Sequence, residues 1–120
     1  MMHLTDKQDN VFQVNPSAIL WMGYSSQWQQ IGFANYVIHL LGGTNILLKD
    51  DIPICQLLHD YSLIERGFSQ IQLTPIESIW LNRESVVFCK EDTNAPETAY
   101  RIRLVDGTEL SSEQPFSIAD

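Results

Sequence analysis

The chain has 120 residues, of which 15 are acidic and 7 are Lys or Arg, so its formal net charge is −8. A chain of this length is expected to form a single domain, residues 1–120, with a real hydrophobic core. Its 44% hydrophobic content excludes a composition typical of intrinsic disorder. The acidic balance disfavours nucleic-acid phosphates and anionic membrane surfaces as partners.

The first residues, MMHLTDKQDN, lack the basic start and apolar run of a secretory signal. No apolar stretch approaches the roughly 18 residues that a transmembrane helix needs. The expected location is therefore the cytoplasm, where the two cysteines, Cys55 and Cys89, would stay reduced. Their spacing leaves open whether the fold brings them together.

The first strands are predicted from apolar alternation. Phe12 and Val14 flank the polar Gln13, which is the period of a half-buried strand. Pro16 is expected to end this strand because proline cannot donate to a sheet ladder. A second strand is predicted over residues 19–21.

A β-hairpin is predicted in YVIHLLGGTNILL, residues 36–48. The GG pair is a turn signal because glycine accepts positive φ at little cost. Tyr36, Ile38 and Leu40 project to one face of the hairpin, and Val37, His39 and Leu41 project to the other. The second face is apolar enough that we expect it to be covered.

A helix over residues 52–66 is predicted in DDIPICQLLHDYSLIERGF. Its apolar residues recur at helical spacing: Ile54, Leu57, Leu58, Tyr61 and Ile64. Asp50 or Asp51 can cap the first turn, and Pro53 fits that turn. Gly67 suits the position just past the end.

The second half of the chain repeats the first. FQVNPSAILW, residues 12–21, aligns without a gap with IQLTPIESIW, residues 71–80, and shares its Gln, Pro and Trp. YVIHLLGGT at 36–44 then matches YRIRLVDGT at 100–108. This alignment makes Trp21 the counterpart of Trp80, and it predicts repeat units at 11–51 and 70–116 with the helix between them.

The predicted fold is mainly β, of the α+β class. Two duplicated β-units, each with one apolar face, should pack as a sandwich or a barrel-like pair joined by one helix. In the second unit, Arg101 and Arg103 occupy the hairpin face that we expect to be covered in the first. These two side chains must be hydrated or paired with acids.

The N-P step at Asn15 and Pro16 precedes an apolar position, an I-x-L-x-x-G strand and a helix that opens on acidic residues. The remaining carriers of this pattern are Ile19, Ile38, Leu40, Gly43, Leu48, Asp51 and Leu57. Over residues 12 to about 58, and more loosely over 71–110, the chain resembles the FlbD/SwrD-type flagellar and swarming-motility proteins. Thr74 departs from the Asn of that pattern. The resemblance implies a small non-enzymatic accessory protein and transfers no catalytic residue.

A second likeness lies in IESIWLNRESVVFCKE followed by YRIRLVDGTEL. This stretch resembles the strand pair of LytTR-type DNA-binding domains. Those domains need exposed basic loops, whereas this chain is acidic, so we rank this resemblance below the first.

The sequence contains no catalytic motif of the phosphate-binding, dinucleotide, metalloprotease or nucleophile-elbow type. The three histidines and two cysteines have no zinc-site spacing. No catalytic residue, metal or cofactor is therefore expected. The candidate binding residues are Trp28, in the loop SSQWQQIGF, together with Arg101 and Arg103.

These observations favour a non-enzymatic protein-interaction module or small regulatory accessory protein. A protein partner is expected, and open strand edges would also allow a homodimer. One alternative is a nucleic-acid-linked regulator, which needs Arg83, Arg101 and Arg103 on one exposed face. Another is an acidic mimic that inhibits a basic partner.

Overall fold

Ten strands and one α-helix make up the part of the chain that the structure, a computed structural model, describes: residues 1–24, 36–49, 54–74, 77–92 and 99–112. The first unit contains β1 (Met2–Thr5), β2 (Val11–Val14), β3 (Ile19–Tyr24), β4 (Tyr36–Leu40) and β5 (Asn45–Leu47). Helix α1 (Ile54–Asp60) follows. The second unit contains β6 (Phe68–Thr74), β7 (Glu77–Asn82), β8 (Val86–Asp92), β9 (Ala99–Leu104) and β10 (Glu109–Ser112). The prediction of a mainly β fold with one helix is confirmed.

The described strands form three antiparallel sheets. A five-stranded sheet has the order β5-β4-β3-β7-β6, a three-stranded sheet the order β10-β9-β8, and β1 pairs with β2. The pair β3·β7 joins the two units, with Trp21 opposite Leu81 and Gly23 opposite Ile79. The central sheet therefore takes three strands from the first unit and two from the second.

The two units share a capped turn followed by a bulged strand. The side chains of Asn15 and Asn82 each accept a hydrogen bond from the backbone N–H two residues later, and each opens a 3-10 turn, Pro16–Ala18 or Arg83–Ser85. β3 then has a register shift between residues 19 and 21, and β8 has one between residues 86 and 88. These equivalent positions are 67 residues apart.

The two hairpins share their turn as well. The backbone N–H of Leu40 donates to Thr44 O at 2.8 Å, and that of Leu104 donates to Thr108 O at 2.8 Å. The turn glycines Gly43 and Gly107 have φ values of +93° and +89°. Here the equivalent positions are 64 residues apart, as the sequence alignment of the hairpins predicts.

The sequence alignment of residues 12–21 with residues 71–80 is wrong. The structural counterpart of Trp21 is Phe88, because each stands at the bulge and faces the equivalent position of the next strand. The counterpart of Trp80 is Gln13, two residues before the capping Asn. Pro75 lies outside the described residues. The turn depends on the capping Asn, and either a proline or an arginine can follow that Asn. Aligning the two segments by their identical residues, including the two prolines, therefore gives the wrong register.

Two hydrophobic clusters lie on opposite faces of the central sheet. The first cluster joins the first unit to α1 and Phe68: Met2, Leu4, Val14, Ile19, Met22, Ile38, Ile46, Leu48, Ile54, Leu57, Leu58, Leu63 and Phe68. The second cluster is built from Leu20, Ile71, Ile79, Leu81, Ile102 and Leu104. Trp80 of the second unit packs against the first cluster, and Trp21 of the first unit packs against the second. The units are therefore interlocked at β3·β7.

The helix is shorter than the predicted 52–66. Ser62 adopts a left-handed φ of +52°, and Leu63 N–H reaches back to Leu58 O at 3.0 Å, which closes a Schellman-type end. Gly67, with φ +108°, ends a second turn, where Phe68 N–H donates to Leu63 O. The predicted N-terminal caps lie outside the described residues. Across the described ranges, no helix has the length and apolarity to cross a bilayer.

Gly23 lies in close contact with Ile79 of β7. A Cβ at this position would lie 2.8 Å from Ile79 Cγ2 and 3.2 Å from Ile79 Cα. We expect Gly23→Ala to lower the free energy of unfolding by about 1–3 kcal/mol because the backbone of β7 must shift. Urea denaturation measures this change. Lys90→Ala, at the equivalent exposed position of β8, is the control, and an equal loss in both variants would contradict the interpretation.

The two capping asparagines provide a matched pair of variants. Asn82 is 3% exposed, and its Nδ2 also donates to Ile19 O at 3.0 Å across the junction between the units. Asn15 makes its cap at the surface. Asn15→Ala should cost about 1 kcal/mol of unfolding free energy. Asn82→Ala should cost roughly 1–3 kcal/mol more because a buried junction hydrogen bond is also lost. Equal midpoints in chemical denaturation would show that Asn82 does not tie the units together.

Candidate functional site

A buried polar contact joins β4 of the first unit to the β9–β10 turn of the second. His39 is 8% exposed, and its Nε2 lies 2.9 Å from Asp106 Oδ2. Its Nδ1 lies 2.6 Å from Asn45 Oδ1, and its ring stacks on Trp21 at 5.4 Å between centroids. Val37 on the same hairpin face is 2% exposed. The prediction that this face is covered is confirmed for Val37 and His39, whereas Leu41 at its end is 54% exposed. His39 serves as a link between the units.

Asp106 is held as a carboxylate within this contact. Burial raises the pKa of Asp106, but hydrogen bonds from Thr108 and from His39, with the charge of the imidazole, outweigh it and leave the pKa below its ordinary value of 3.8. The Thr108 N–H donates to Oδ1 at 2.9 Å while Oδ2 faces His39. Both oxygens are therefore occupied, and the group serves the fold.

The outward side chains of the second unit form a different kind of surface. Phe88, Lys90, Arg101, Arg103 and Glu109 project from β8, β9 and β10, and we call these five residues the outer face. In the register of the sheet, Phe88 is opposite Arg103, which is opposite Glu109, while Lys90 is opposite Arg101. Three cations and one carboxylate thus stand together on a chain whose overall charge is negative.

Glu109 pairs with both arginines. Arg101 Nη1 lies 3.3 Å from Glu109 Oε2, and Arg103 donates to Oε1 from Nε at 3.1 Å and from Nη2. The hydrogen bond from Arg103, with the charges of Arg103, Arg101 and Lys90, lowers the pKa of Glu109. The arginine side chains remain 47% and 44% exposed. They are therefore both paired and accessible to solvent.

Phe88 lies beneath two of these cations. The guanidinium of Arg103 is 5.7 Å from the ring centroid, and the ammonium of Lys90 is 5.9 Å from it. The ring is 36% exposed. The outer face therefore combines an accessible aromatic ring with cations held over it, which is the chemistry of a contact surface.

Two strand edges complete the candidate surfaces. Within the described ranges, β8 pairs only with β9, and β2 pairs only with β1. Val87 on β8 is 56% exposed, and Val11 on β2 is 68% exposed. We call the unpaired sides of β2 and β8 the open edges.

The third predicted binding residue, Trp28, lies outside the described residues. Cys55 is exposed, Cys89 is partly buried, and both are free thiols. No group of three His, Cys, Asp or Glu side chains within the described ranges could hold a metal ion.

Two shallow clefts have volumes of about 300 Å³ and 270 Å³. The larger lies beside the capped turns, where Arg66, Glu65 and Glu84 are among its lining residues. The smaller lies between α1 and the central sheet, with Cys55 and Trp80 on its wall. Neither lining places a nucleophile, a base and an orienting acid together, so the described clefts provide no acyl-transfer triad.

Phe88, Lys90 and Asp106 are not among the candidate residues predicted from the sequence. The alternation in VVFCKE carries the signal for the first two, because Phe88 and Lys90 share a strand parity opposite to the inward Cys89. From the sequence, Asp106 is interpreted only as a turn residue, because it precedes Gly107 in the hairpin. Its partner His39 is 67 positions away, and no local pattern connects them.

Comparison of the chain with protein-family models, curated proteins and solved structures found no match.

The depressed pKa of Asp106 predicts an acid limit to stability. A carboxylate whose pKa is lower in the folded state stabilises the fold above its unfolded pKa, and the contribution is lost as the pH falls through the folded value. At pH 7, Asp106→Asn should therefore reduce the free energy of unfolding by about 1–2 kcal/mol. The difference from the unaltered chain should begin to shrink as the pH approaches the ordinary value of 3.8 and should fall further below it.

Urea denaturation between pH 7 and pH 3 measures this difference. Asp60→Asn removes an exposed carboxylate and is the control at pH 7. A difference for Asp106→Asn that is already gone at pH 5 would contradict the assignment.

Proposed function

We propose that this chain is a non-enzymatic protein-interaction module, a small regulatory or accessory protein that binds an acidic segment of a protein partner through the outer face. The observation that carries the proposal is the exposed cationic and aromatic surface on one unit of an otherwise acidic chain. The counterparts of its two arginines in the other unit, Val37 and His39, are buried.

The repeat provides the comparison. The positions of Arg101 and Arg103 correspond to Val37 and His39 in the first unit, which are 2% and 8% exposed. A buried face needs apolar or fully paired side chains, and the first unit has them. The second unit carries charges at the same positions, so that surface stays in water and is available to a partner.

The contacts of Glu109 illustrate how the two arginines would bind a carboxylate of a partner. Its carboxylate receives hydrogen bonds from both arginines, which is the arrangement that a partner's Asp or Glu would share or replace. Exposed ion pairs contribute only about 0–1 kcal/mol each. The partner must therefore also cover Phe88, whose ring offers apolar area and cation–π contacts.

The resemblance of the first unit to FlbD/SwrD-type proteins supports an accessory role. In this chain the residues that carry the resemblance are structural: Asn15 caps a turn, Gly43 has a φ of +93°, and Leu48 and Leu57 are buried. They support the scaffold, so the binding surface is sought elsewhere. A cytoplasmic setting is part of the proposal.

The nucleic-acid alternative requires Arg83 to share a face with Arg101 and Arg103. Arg83 begins the 3-10 turn before β8 and is only partly exposed, whereas the other two project from the middle of β9. The overall charge of −8 also opposes a phosphate backbone. A protein partner is therefore the better-supported proposal, with Trp28 as a second contact predicted from sequence alone.

Binding through the outer face can be tested with the double variant Arg101→Gln/Arg103→Gln. A partner is first isolated from a native lysate with the unaltered chain and is then titrated as a purified protein. The double variant should weaken binding at least tenfold, and added salt should weaken it further. Arg66→Gln, an exposed arginine after α1, is the matched control, and Trp28→Ala is measured in parallel.

The double variant binding as tightly as the unaltered chain would contradict the proposal. Captured material that disappears on nuclease treatment, with steep salt dependence in a gel shift, would instead favour the nucleic-acid alternative.

A further inference from the structure

We propose that copies of this chain associate head to tail, with the open edge of β8 in one copy pairing with the open edge of β2 in the next. This inference goes beyond the proposed function because it concerns the strand edges and a second copy of the chain. Arg101, Arg103 and Glu109 of the outer face lie on β9 and β10, which this contact does not use, so they remain free for a different partner.

The pair β3·β7 inside the chain is the template. β8 is the structural counterpart of β3, since both follow a capped turn and both have the same bulge. β2 is the counterpart of β7, since both lead directly into the capping asparagine. Each unit therefore has one strand of each kind, but within the described part of the chain only β3 and β7 pair with each other.

The exposure of the residues at the two bulges shows the effect of pairing with a neighbouring strand. Leu20 of β3 is 1% exposed and belongs to the second hydrophobic cluster, which it reaches because β7 lies alongside. Its counterpart Val87 on β8 is 56% exposed. On the other strand, Val11 of β2 is 68% exposed. Two apolar strand edges with matching geometry therefore face solvent, which is a template for pairing with another chain.

The register follows from the template. In β3·β7, Trp21 is opposite Leu81, Met22 is opposite Trp80, and Gly23 is opposite Ile79. Transferred to the open edges, this register places three residue pairs opposite each other between copies: Phe88 and Val14, Cys89 and Gln13, and Lys90 and Phe12. The two contacting surfaces differ, so the association is heterologous and produces either a ring or an open chain.

Two substitutions between the repeats make this contact weaker than its template. Gly23 permits the close approach of Ile79, whereas Lys90 stands at the equivalent position of β8. Trp80 packs onto the first cluster, whereas Gln13 stands in its place on β2. A lysine on an edge strand also limits uncontrolled pairing. The association should therefore be reversible and dependent on concentration.

Sedimentation velocity over a concentration series tests the association. The unaltered chain should exceed its monomer mass of 13.7 kDa as the concentration rises. Val87→Lys and Val11→Glu should each weaken the association at least tenfold, the second because the register places position 11 opposite Glu91, whereas Lys90→Gly should strengthen it. Leu41→Lys and Val105→Lys are matched controls, because these residues are 54% and 52% exposed on the hairpin tips.

Disulfide trapping tests the register. In a Cys55→Ser background, Gln13→Cys should form an intermolecular bond with the native Cys89, because residues directly opposite on paired strands have Cα atoms about 4.5–5.5 Å apart. Mild oxidation should then give dimers and larger species on a non-reducing gel. His3→Cys, on the β1 side of β2 opposite Gln13, is the control and should cross-link far less.

A strictly monomeric unaltered chain at every concentration would overturn the proposal. An intramolecular bond in the Gln13→Cys variant, or equal cross-linking by the His3→Cys control, would overturn the register. The Arg101→Gln/Arg103→Gln variant should leave the mass series unchanged, which separates self-association from binding at the outer face.

Discussion

The structure depends on the antiparallel contact between β3 and β7. This pair places a strand of each unit at the centre of one sheet, so both faces of that sheet can be buried, each against a different cluster. Gly23 allows the strands to approach closely, and the side chain of Asn82 donates to Ile19 O across the same boundary. The domain is therefore one interlocked body, since neither unit has its core without side chains from the other.

The same supersecondary unit occurs twice in this chain in two different environments. In the first unit the hairpin face of Val37 and His39 is closed by the second unit, and the Asp106 carboxylate is buried against the imidazole. In the second unit the corresponding face remains in water and carries arginines. Duplication therefore supplies a stable scaffold with one surface that is used for folding and a related surface that is available for contact. The exposure of Arg101 and Arg103, at positions that are buried in the first unit, is the reason for treating the outer face as a candidate interface.

Local signals predicted the hairpins well because turn chemistry acts within a few residues. The GG and DG turns and the alternation of buried and exposed positions in β9 follow from steric preference and strand parity. The alignment of residues 12–21 with residues 71–80 failed for a physical reason. A capping Asn followed by proline and a capping Asn followed by arginine form the same turn. The alignment that matched identical residues around Trp21 and Trp80 was therefore shifted by eight residues from the structural alignment of the two turns. The helix ends before the predicted residue 66 because Ser62 adopts a left-handed conformation, which a serine in this sequence does not predict.

By itself, the sequence determined the mainly β class, the duplicated hairpins, the acidic charge and the need of Arg101 and Arg103 for water or a counter-charge. These properties come from residue chemistry and from interactions between near neighbours in the chain. Only the tertiary structure decided which strands of the two units pair and which edges stay open. Those outcomes depend on contacts such as His39 with Asp106, which lie 67 residues apart. A period of two sets the face on which a side chain lies, but it carries no information about which strand will lie beside it.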